Sequence, residues 1–190
     1  MKKLIMAMLT LLIATFAYAQ PYTMIKGGAQ FSKFSADGSE SKFGIRGGLG
    51  GFVPLGESSF YFMPQLVYAQ KGQEAGKFLG DCTLHYAEVP LTIGALIKFT
   101  RHVGLGLMVG PYAGYAVAGK SDDPEMTDNL FEKISRFDAG ISGSVQLHIW
   151  KIFVFADYDW GMRNLMHSPD LELGENLTTR AGAIGVGFTY

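Results

Sequence analysis

Two aspartates that lie two residues apart, Asp157 and Asp159, have the types and spacing that acid–base or cation chemistry needs. Residues i and i+2 of a β-strand share one face, so the two carboxylates could act as acid and base or hold a cation. The alternative is that they pair with basic side chains of the same sheet, because an unpaired buried charge is costly. The pattern indicates no substrate cleft, so we favour the structural role.

Other residue types give weaker chemical signals. The histidines have no ligand spacing and fall on different segments, which argues against a metal site; they are His85, His102, His148 and His167. Serines are plentiful, but no G-x-S-x-G or comparable signature accompanies them. The segment 120–135 is acidic and indicates a solvated loop; its carboxylates are Asp122, Asp123, Glu125 and Asp128. We therefore predict a protein that is not an enzyme and has no cofactor.

These residues lie mostly on segments that have the pattern of β-strands. Residues 137–149 place apolar or small side chains at odd positions and polar or small ones at even positions, and a second alternating run starts at residue 152. Residues 103–119 carry no charge, but five glycines and Pro111 argue against a membrane helix there. The predicted strands lie near residues 24–34, 42–53, 60–72, 84–98, 103–118, 136–149, 152–164 and 179–190.

The connections between these strands alternate in length. They are short after strands two, four and six, and longer and more polar after strands one, three, five and seven. An even number of antiparallel strands joined in this way is typical of outer-membrane barrels. In lipid every backbone N–H and C=O must be paired within the protein, and a closed sheet has no free edge. We therefore predict an all-β fold, an eight-stranded antiparallel up-and-down transmembrane β-barrel over residues 20–190.

The first 19 residues have the pattern of a cleaved signal peptide. Lys2 and Lys3 precede an apolar stretch that is too short for an anchor helix, and Ala17-Tyr18-Ala19 is a small-x-small cleavage site. Two of the 16 basic residues lie in this segment, so the remaining 14 and the 17 acidic residues leave a net charge of −3. This balance argues against a nucleic-acid partner.

The only cysteine in the sequence, Cys82, follows a Gly-Asp pair. A lone cysteine in an exported chain forms no internal disulfide and is no metal site. We expect Cys82 to lie in a loop.

Charged residues of both signs fall on the face of the strands opposite the apolar one. An eight-stranded barrel leaves an interior that side chains just fill, so charges inside it must pair with one another. The predicted lumen charge network consists of Arg46, Lys71, Glu88, Lys98, Asp138, Asp157, Asp159 and Arg163.

The chain ends on the alternating stretch RAGAIGVGFTY, residues 180–190. This last strand must pair with the first to close the barrel, and an aromatic ring is favoured at the membrane interface. The ending resembles that of substrates of the barrel-assembly machinery, which recognises a last strand with a terminal aromatic. Phe188 and Tyr190 would form this assembly signal.

Five stretches together resemble the PorT-like outer-membrane β-barrel family. They are FMPQLVYAQKG (62–72), LHYAEVPLTIGALIKF (84–99), VGPYAGYAVAGK (109–120), FDAGISGSVQL (137–147) and FVFADYDWGMRNL (153–165). The resemblance implies an eight-stranded barrel of the outer membrane and supplies no catalytic residues. The family's namesake is linked to assembly of a secretion system, and that role is not carried over to this chain.

The expected function is that of a structural or interaction protein of the cell outer membrane, with a link to secretion or envelope assembly as one form of that role. Its wall would contact outer-membrane lipids, and its longer loops would meet surface or periplasmic protein partners. One alternative is a soluble, ligand-binding, lipocalin-like barrel, which would be apolar inside and polar outside, the inverse of this pattern. The other is a pore that the strand number limits to small solutes.

The assigned facing of the strands can be tested at two neighbouring positions. Val145→Arg places a charge on the lipid face and should cost about 2–4 kcal/mol near mid-strand, depleting the folded outer-membrane form. Ser144→Arg should point into the lumen and be milder. Heat-modifiable gel mobility of the membrane fraction measures both, and equal effects would contradict the facing.

Deletion of Tyr190 tests the assembly signal. Even a fully buried tyrosine side chain would contribute only about 1.5–3 kcal/mol, so the truncated barrel should still refold in detergent. In cells the truncated chain should be exported and then accumulate unfolded in the periplasm. Equal delivery of both chains to the outer membrane would show that the ending is only a strand end.

Overall fold

The computed structural model describes residues 22–35, 40–76, 80–121, 131, 134–165 and 177–190. Its strands are β1 (Tyr22–Phe34), β2 (Glu40–Pro54), β3 (Phe60–Gly76), β4 (Gly80–Lys98), β5 (Val103–Ser121), β6 (Phe137–Ile149), β7 (Ile152–Gly161) and β8 (Thr179–Thr189). Each strand pairs antiparallel with the next, and β8 pairs with β1, so the sheet closes into a barrel. The predicted fold class is confirmed. Within these ranges no helix is long and apolar enough to cross a membrane.

Some predicted features lie outside the described residues. They are the signal peptide 1–19, His167 and the acidic group Asp122, Asp123, Glu125 and Asp128. The signal peptide therefore stays a prediction.

The prediction of four long connections is wrong for two of them. β3 and β4 run on to Gly76 and from Gly80, and they pair as far as these two residues, so their connection is only residues 77–79. The connection from β1 to β2 is residues 35–39. Strand pairing continues past the alternating segment because each further residue pair satisfies backbone N–H and C=O groups of both strands. Only the connections after β5 and β7 are long.

The loop position expected for Cys82 is wrong for the same reason. Cys82 lies in β4, opposite Gln73 of β3 and Ser121 of β5, and its side chain is fully buried inside the barrel. The Gly-Asp pair before it continues the strand.

The outer wall of the barrel is apolar over its whole circumference. Its middle is made by exposed aliphatic side chains, which include Ile25, Leu49, Leu66, Ile93, Leu107, Val109, Val145, Leu147, Val154, Ile184 and Val186. A girdle of aromatic residues borders the end with the short turns; it consists of Tyr22, Phe60, Phe99, Trp150, Phe188 and Tyr190. A second borders the end with the long connections, comprising Phe31, Phe43, Tyr68, Tyr115, Phe137, Tyr158 and Trp160. An apolar band between two aromatic girdles is the pattern that outer-membrane barrels present to lipid.

The lumen is filled in three layers. Near the short turns lies an apolar layer of Met24, Phe52, Tyr61, Met63, Met108, Phe153, Phe155 and Ala183. The middle layer consists of buried charged and polar side chains. Near the long connections lies a second apolar layer of Phe34, Val67, Ala69, Cys82, Leu84, Tyr86 and Ala116, to which the connections add Ile134, Leu165 and Leu177.

Ile134, Leu165 and Leu177 form what we term the outer cap, because they fold over the lumen from the two long connections. Backbone bonds join these connections to each other and to the barrel: Ser135 N–H donates to Leu165 O (2.6 Å), Leu165 N–H to Leu177 O (2.9 Å), and Ala116 N–H to Arg136 O (2.7 Å). All three cap side chains are buried. The outer cap therefore extends the apolar layer above the charged one.

Glycine in β8 makes room for the short-turn layer. A Cβ on Gly187 would lie 2.2 Å from Cζ of the buried Phe153 ring. Gly187→Ala should therefore destabilise the barrel by about 1–3 kcal/mol through overpacking, measured by urea unfolding in lipid nanodiscs. Gly182→Ala in the same strand meets nothing nearer than 3.8 Å and is the control. Adding Phe153→Leu should recover most of the loss; no recovery would contradict the packing argument.

Candidate functional site

Arg46 of β2 is the centre of the charged layer. Its Nη1 lies 2.5 Å from Asp159 Oδ2 and 3.3 Å from Glu88 Oε2, and its Nε lies 3.5 Å from Asp157 Oδ2. Gln30 Oε1 accepts a further bond from Nη1 (3.2 Å). The side chain is buried, so the guanidinium fork replaces its lost water with three carboxylates and an amide.

Lys71 of β3 is the second centre. Its Nζ lies 2.5 Å from Glu88 Oε1, 3.3 Å from Asp138 Oδ2 and 3.8 Å from Asp159 Oδ2. The ammonium also lies over the ring of Tyr112, 4.6 Å from its centroid, where the π-face favours a cation. Lys71 and Arg46 share Glu88 and Asp159, so the two centres form one network.

Hydroxyl groups donate further hydrogen bonds to the aspartates. Thr179 Oγ1 and Tyr112 OH donate to Asp138 Oδ2 at 2.7 and 3.0 Å. Ser142 Oγ donates to Asp159 Oδ1 (2.6 Å), and Ser144 Oγ donates to Asp157 Oδ1 (2.7 Å). These bonds hold the carboxylates in place between the cations, which is what a buried ionic network requires.

Lys26 of β1 was missed by the sequence analysis. Its Nζ lies 2.5 Å from Asp157 Oδ2, and both side chains are buried. The signal was present, since Lys26, Gln30 and Ser32 occupy alternate positions opposite Ile25 and Phe31. The first strand has the weakest alternation because glycines interrupt it, and its polar face was not assigned.

Two residues of the predicted network lie outside it. Lys98 is the last residue of β4; although it has the inward parity, its side chain is exposed at the short-turn mouth, because a long stem carries the ammonium to water. Arg163 follows the end of β7, so strand alternation no longer determines its direction. Its guanidinium stacks on Phe137, 4.9 Å from the ring centroid. The other six predicted residues come together in the lumen: Arg46, Lys71, Glu88, Asp138, Asp157 and Asp159.

Asp157 and Asp159 face the lumen side by side, and both are engaged. Asp157 contacts Lys26, Arg46 and Ser144, while Asp159 contacts Arg46 and Ser142. Carboxylates held in this way stabilise the interior and have little freedom to exchange protons with a substrate.

The described histidines lie apart from one another. His85 stacks on Tyr68 and bonds to its hydroxyl (2.7 Å) on the outer wall. His102 lies in a short turn, and the buried His148 contacts Gln146 Oε1 (3.1 Å). Across the described ranges, no three His, Cys, Asp or Glu side chains are grouped as a metal ion would require.

The two residues of the predicted assembly signal lie at the short-turn end. Tyr190 N–H donates to Thr23 O (2.9 Å), and the ring of Tyr190 lies under Lys151 Nζ at 5.4 Å. Phe188 pairs with Ile25 of β1 and Ile152 of β7 on the outer wall. The last strand is therefore paired on both sides up to its end. Recognition by an assembly machinery stays a prediction.

A closed barrel of eight strands, apolar outside and charged within, defines a small outer-membrane protein. The chain belongs to the family described as outer membrane protein beta-barrel domain, whose model matches residues 22–167. No curated protein sequence matches it significantly. In outer-membrane barrels the short turns face the periplasm and the long connections face the cell exterior. Membership of this family gives the chain the same orientation.

Solved structures of other bacterial barrels are similar to the chain. One is Ail, the attachment invasion locus protein of Yersinia pestis, in complex with the heparin analogue sucrose octasulfate: 14% identity over 90% of this chain and 99% of Ail, TM-score 0.47. Another is Neisserial surface protein A: 14% identity over 88% of this chain and 97% of that protein, TM-score 0.46.

Substitution of Arg46 tests the charged layer. Arg46→Met leaves buried carboxylates uncompensated and should cost about 3–5 kcal/mol of unfolding free energy, measured by urea titration in nanodiscs. The double variant Arg46→Met/Asp159→Leu should lose less than the sum of its single variants, because it removes both partners.

The exposed Arg163 provides the control for this experiment. Arg163→Gln should change the unfolding free energy by no more than about 0.5 kcal/mol. An effect of Arg46→Met as small as that of Arg163→Gln would show that the layer does not contribute to stability.

Proposed function

We propose that the protein is a non-catalytic structural and interaction barrel of the outer membrane, whose lumen is closed and whose external end meets partners. The observation that carries the proposal is that three filled layers follow one another along the barrel axis. A charged layer lies between two apolar layers, and the outer cap extends the upper one.

The filled lumen disfavours the pore alternative. A permeating ion would have to separate pairs such as Lys26–Asp157 and Lys71–Glu88, both at 2.5 Å. It would also have to pass the apolar layers, where the buried Phe153 and Phe155 lie in contact. Apolar constrictions exclude ions by excluding water.

The facing of the strands disfavours the lipocalin-like alternative. A soluble barrel needs a polar outer wall and an apolar cavity. Here the outer wall carries the apolar side chains, and the centre of the lumen carries seven buried charged ones, which are Lys26, Arg46, Lys71, Glu88, Asp138, Asp157 and Asp159.

The external end presents guanidinium groups held against aromatic rings, which supports an interaction role there. Arg136 lies 3.7 Å from the Phe131 ring centroid, and Arg180 lies 5.8 Å from that of Trp160. With Arg163 on Phe137, these groups make an ordered cationic edge. Held in this way, they lose less freedom when a partner binds.

The proposal also covers the cellular process, the route of export and the route of membrane insertion. A link to secretion or envelope assembly, with surface or periplasmic proteins as partners, is one form of the proposed interaction role. Export would use cleavage after residue 19, and insertion would use the barrel-assembly machinery reading the end of β8.

Planar-bilayer recordings test the closed lumen. The purified full chain should give no conductance steps, because the three layers leave no continuous water path. An open porin reconstituted in the same bilayers is the control. Reproducible steps from heat-modifiable, folded protein would overturn the closed barrel and favour the pore.

Site-specific photo-crosslinking in the native bacterium tests the interaction role. A photoreactive residue at Lys120, exposed at the outer end of β5, should give a discrete crosslinked protein. The same residue at Ile93, on the lipid-facing wall, is the control. Absence of a product at position 120 in correctly inserted barrels, or the same product at both positions, would contradict the proposal.

A further inference from the structure

The periplasmic end of the lumen opens into a cavity of about 250 Å³. We term it the mouth pocket and define it by Phe52, Tyr61, Leu96, Lys98, Arg101 and His148. It lies below the charged layer, and the aromatic rings of the short-turn layer separate the two. The mouth pocket is therefore a site distinct from the lumen network.

The inner wall of the mouth pocket is apolar and tightly packed. Phe52 contacts Tyr61 edge to face, with ring centroids 6.2 Å apart, and Leu96 packs on the same cluster. His148 stacks on Phe153 at 4.9 Å and meets Phe52 at 5.5 Å. This wall would bury a short apolar group without rearrangement.

The rim of the mouth pocket is basic. Lys98 and Arg101 are exposed there, and His102 lies beside them. None of the lining residues carries a side-chain carboxylate. In the part of the chain that the structure describes, neither Lys98 nor Arg101 forms an ion pair. The two cations are therefore available to an anion from the periplasm.

Hydrogen bonds made by residues of the short turns hold the frame of the mouth pocket. Trp150 N–H donates to His102 O (2.6 Å), and Leu96 N–H donates to Ser59 O (2.9 Å). Thr100 Oγ1 accepts from Val103 N–H (3.0 Å) within its own turn. Three short turns are thereby tied into one rim, and a ligand that binds there orders little new chain.

We propose that the mouth pocket binds a small amphipathic anion from the periplasmic side. A carboxylate or phosphate head would lie at Lys98 and Arg101, and a short apolar chain would lie against Phe52, Tyr61 and Leu96. The cavity is smaller than the ~300–1,000 Å³ typical of ligand sites. It therefore takes a short molecule or the end of a longer one, such as a fatty acid or an anionic lipid.

Titration of the full-length barrel in phosphatidylcholine nanodiscs tests this site. The probes are hexanoate, hexanol and inorganic phosphate. Their binding is followed by two-dimensional NMR of the Trp150 indole and the His148 ring, since both residues line the mouth pocket. Hexanoate should give saturable shifts at both residues. Hexanol and phosphate, which each lack one half of the ligand, should bind at least about tenfold more weakly.

Variants separate the two halves of the site. Lys98→Gln with Arg101→Gln should weaken hexanoate at least about tenfold. Lys151→Gln removes a cation of the same end that does not line the pocket and should leave the affinity within about twofold. Heat-modifiable mobility of each variant confirms that the barrel is folded, so loss of binding is not loss of structure.

Nanodiscs that contain phosphatidylglycerol identify the source of the anion. Loss of hexanoate binding there supports an anionic lipid as the occupant, and unchanged binding supports a free periplasmic ligand. Equal affinity for hexanol and hexanoate, equal losses in the rim and Lys151→Gln variants, or no saturable shift with hexanoate would each overturn the proposal.

Discussion

The pairing of β1 with β8 closes the barrel, and this closure governs how the lumen and both ends are built. Lipid offers no partner to a free N–H or C=O, so a sheet that crosses a membrane has to close. Met24 to Phe34 pair in continuous register with Thr189 to Thr179, which removes both edges. Closure with eight strands then sets the diameter, and the diameter leaves a lumen that side chains must fill.

Because side chains fill the lumen and exclude water, the charged side chains inside it have to pair with one another. Arg46 and Lys71 each contact three carboxylates. Removal of water strengthens these contacts and also makes any unpaired member costly. The network therefore ties β1, β2, β3, β4, β6 and β7 across the barrel axis, in addition to the hydrogen bonds around its circumference.

The two ends of the barrel differ because their connections differ. At the exterior, Ile134, Leu165 and Leu177 form the outer cap, and Arg136 and Arg163 lie against aromatic rings. At the periplasm, short turns cannot cover the lumen, and the mouth pocket remains open with Lys98 and Arg101 at its rim. Interaction at the outside and anion binding at the inside are thus separate proposals on one closed scaffold.

The strands, their faces and the closed barrel could be predicted from the amino-acid sequence, because period-2 alternation and the absence of edges in lipid are local and general constraints. It also indicated six of the lumen charges by parity. Which of these charges meet depends on the folded barrel: Lys26 joins Asp157 although 131 positions separate them, while Lys98 and Arg163 lie beyond the charged layer. The burial of Cys82 was decided in the same way. Odd or even position along a strand shows whether a side chain faces the lumen or the lipid. Its depth along the barrel axis depends on where the strands end and how they are staggered, and long-range strand pairing sets both.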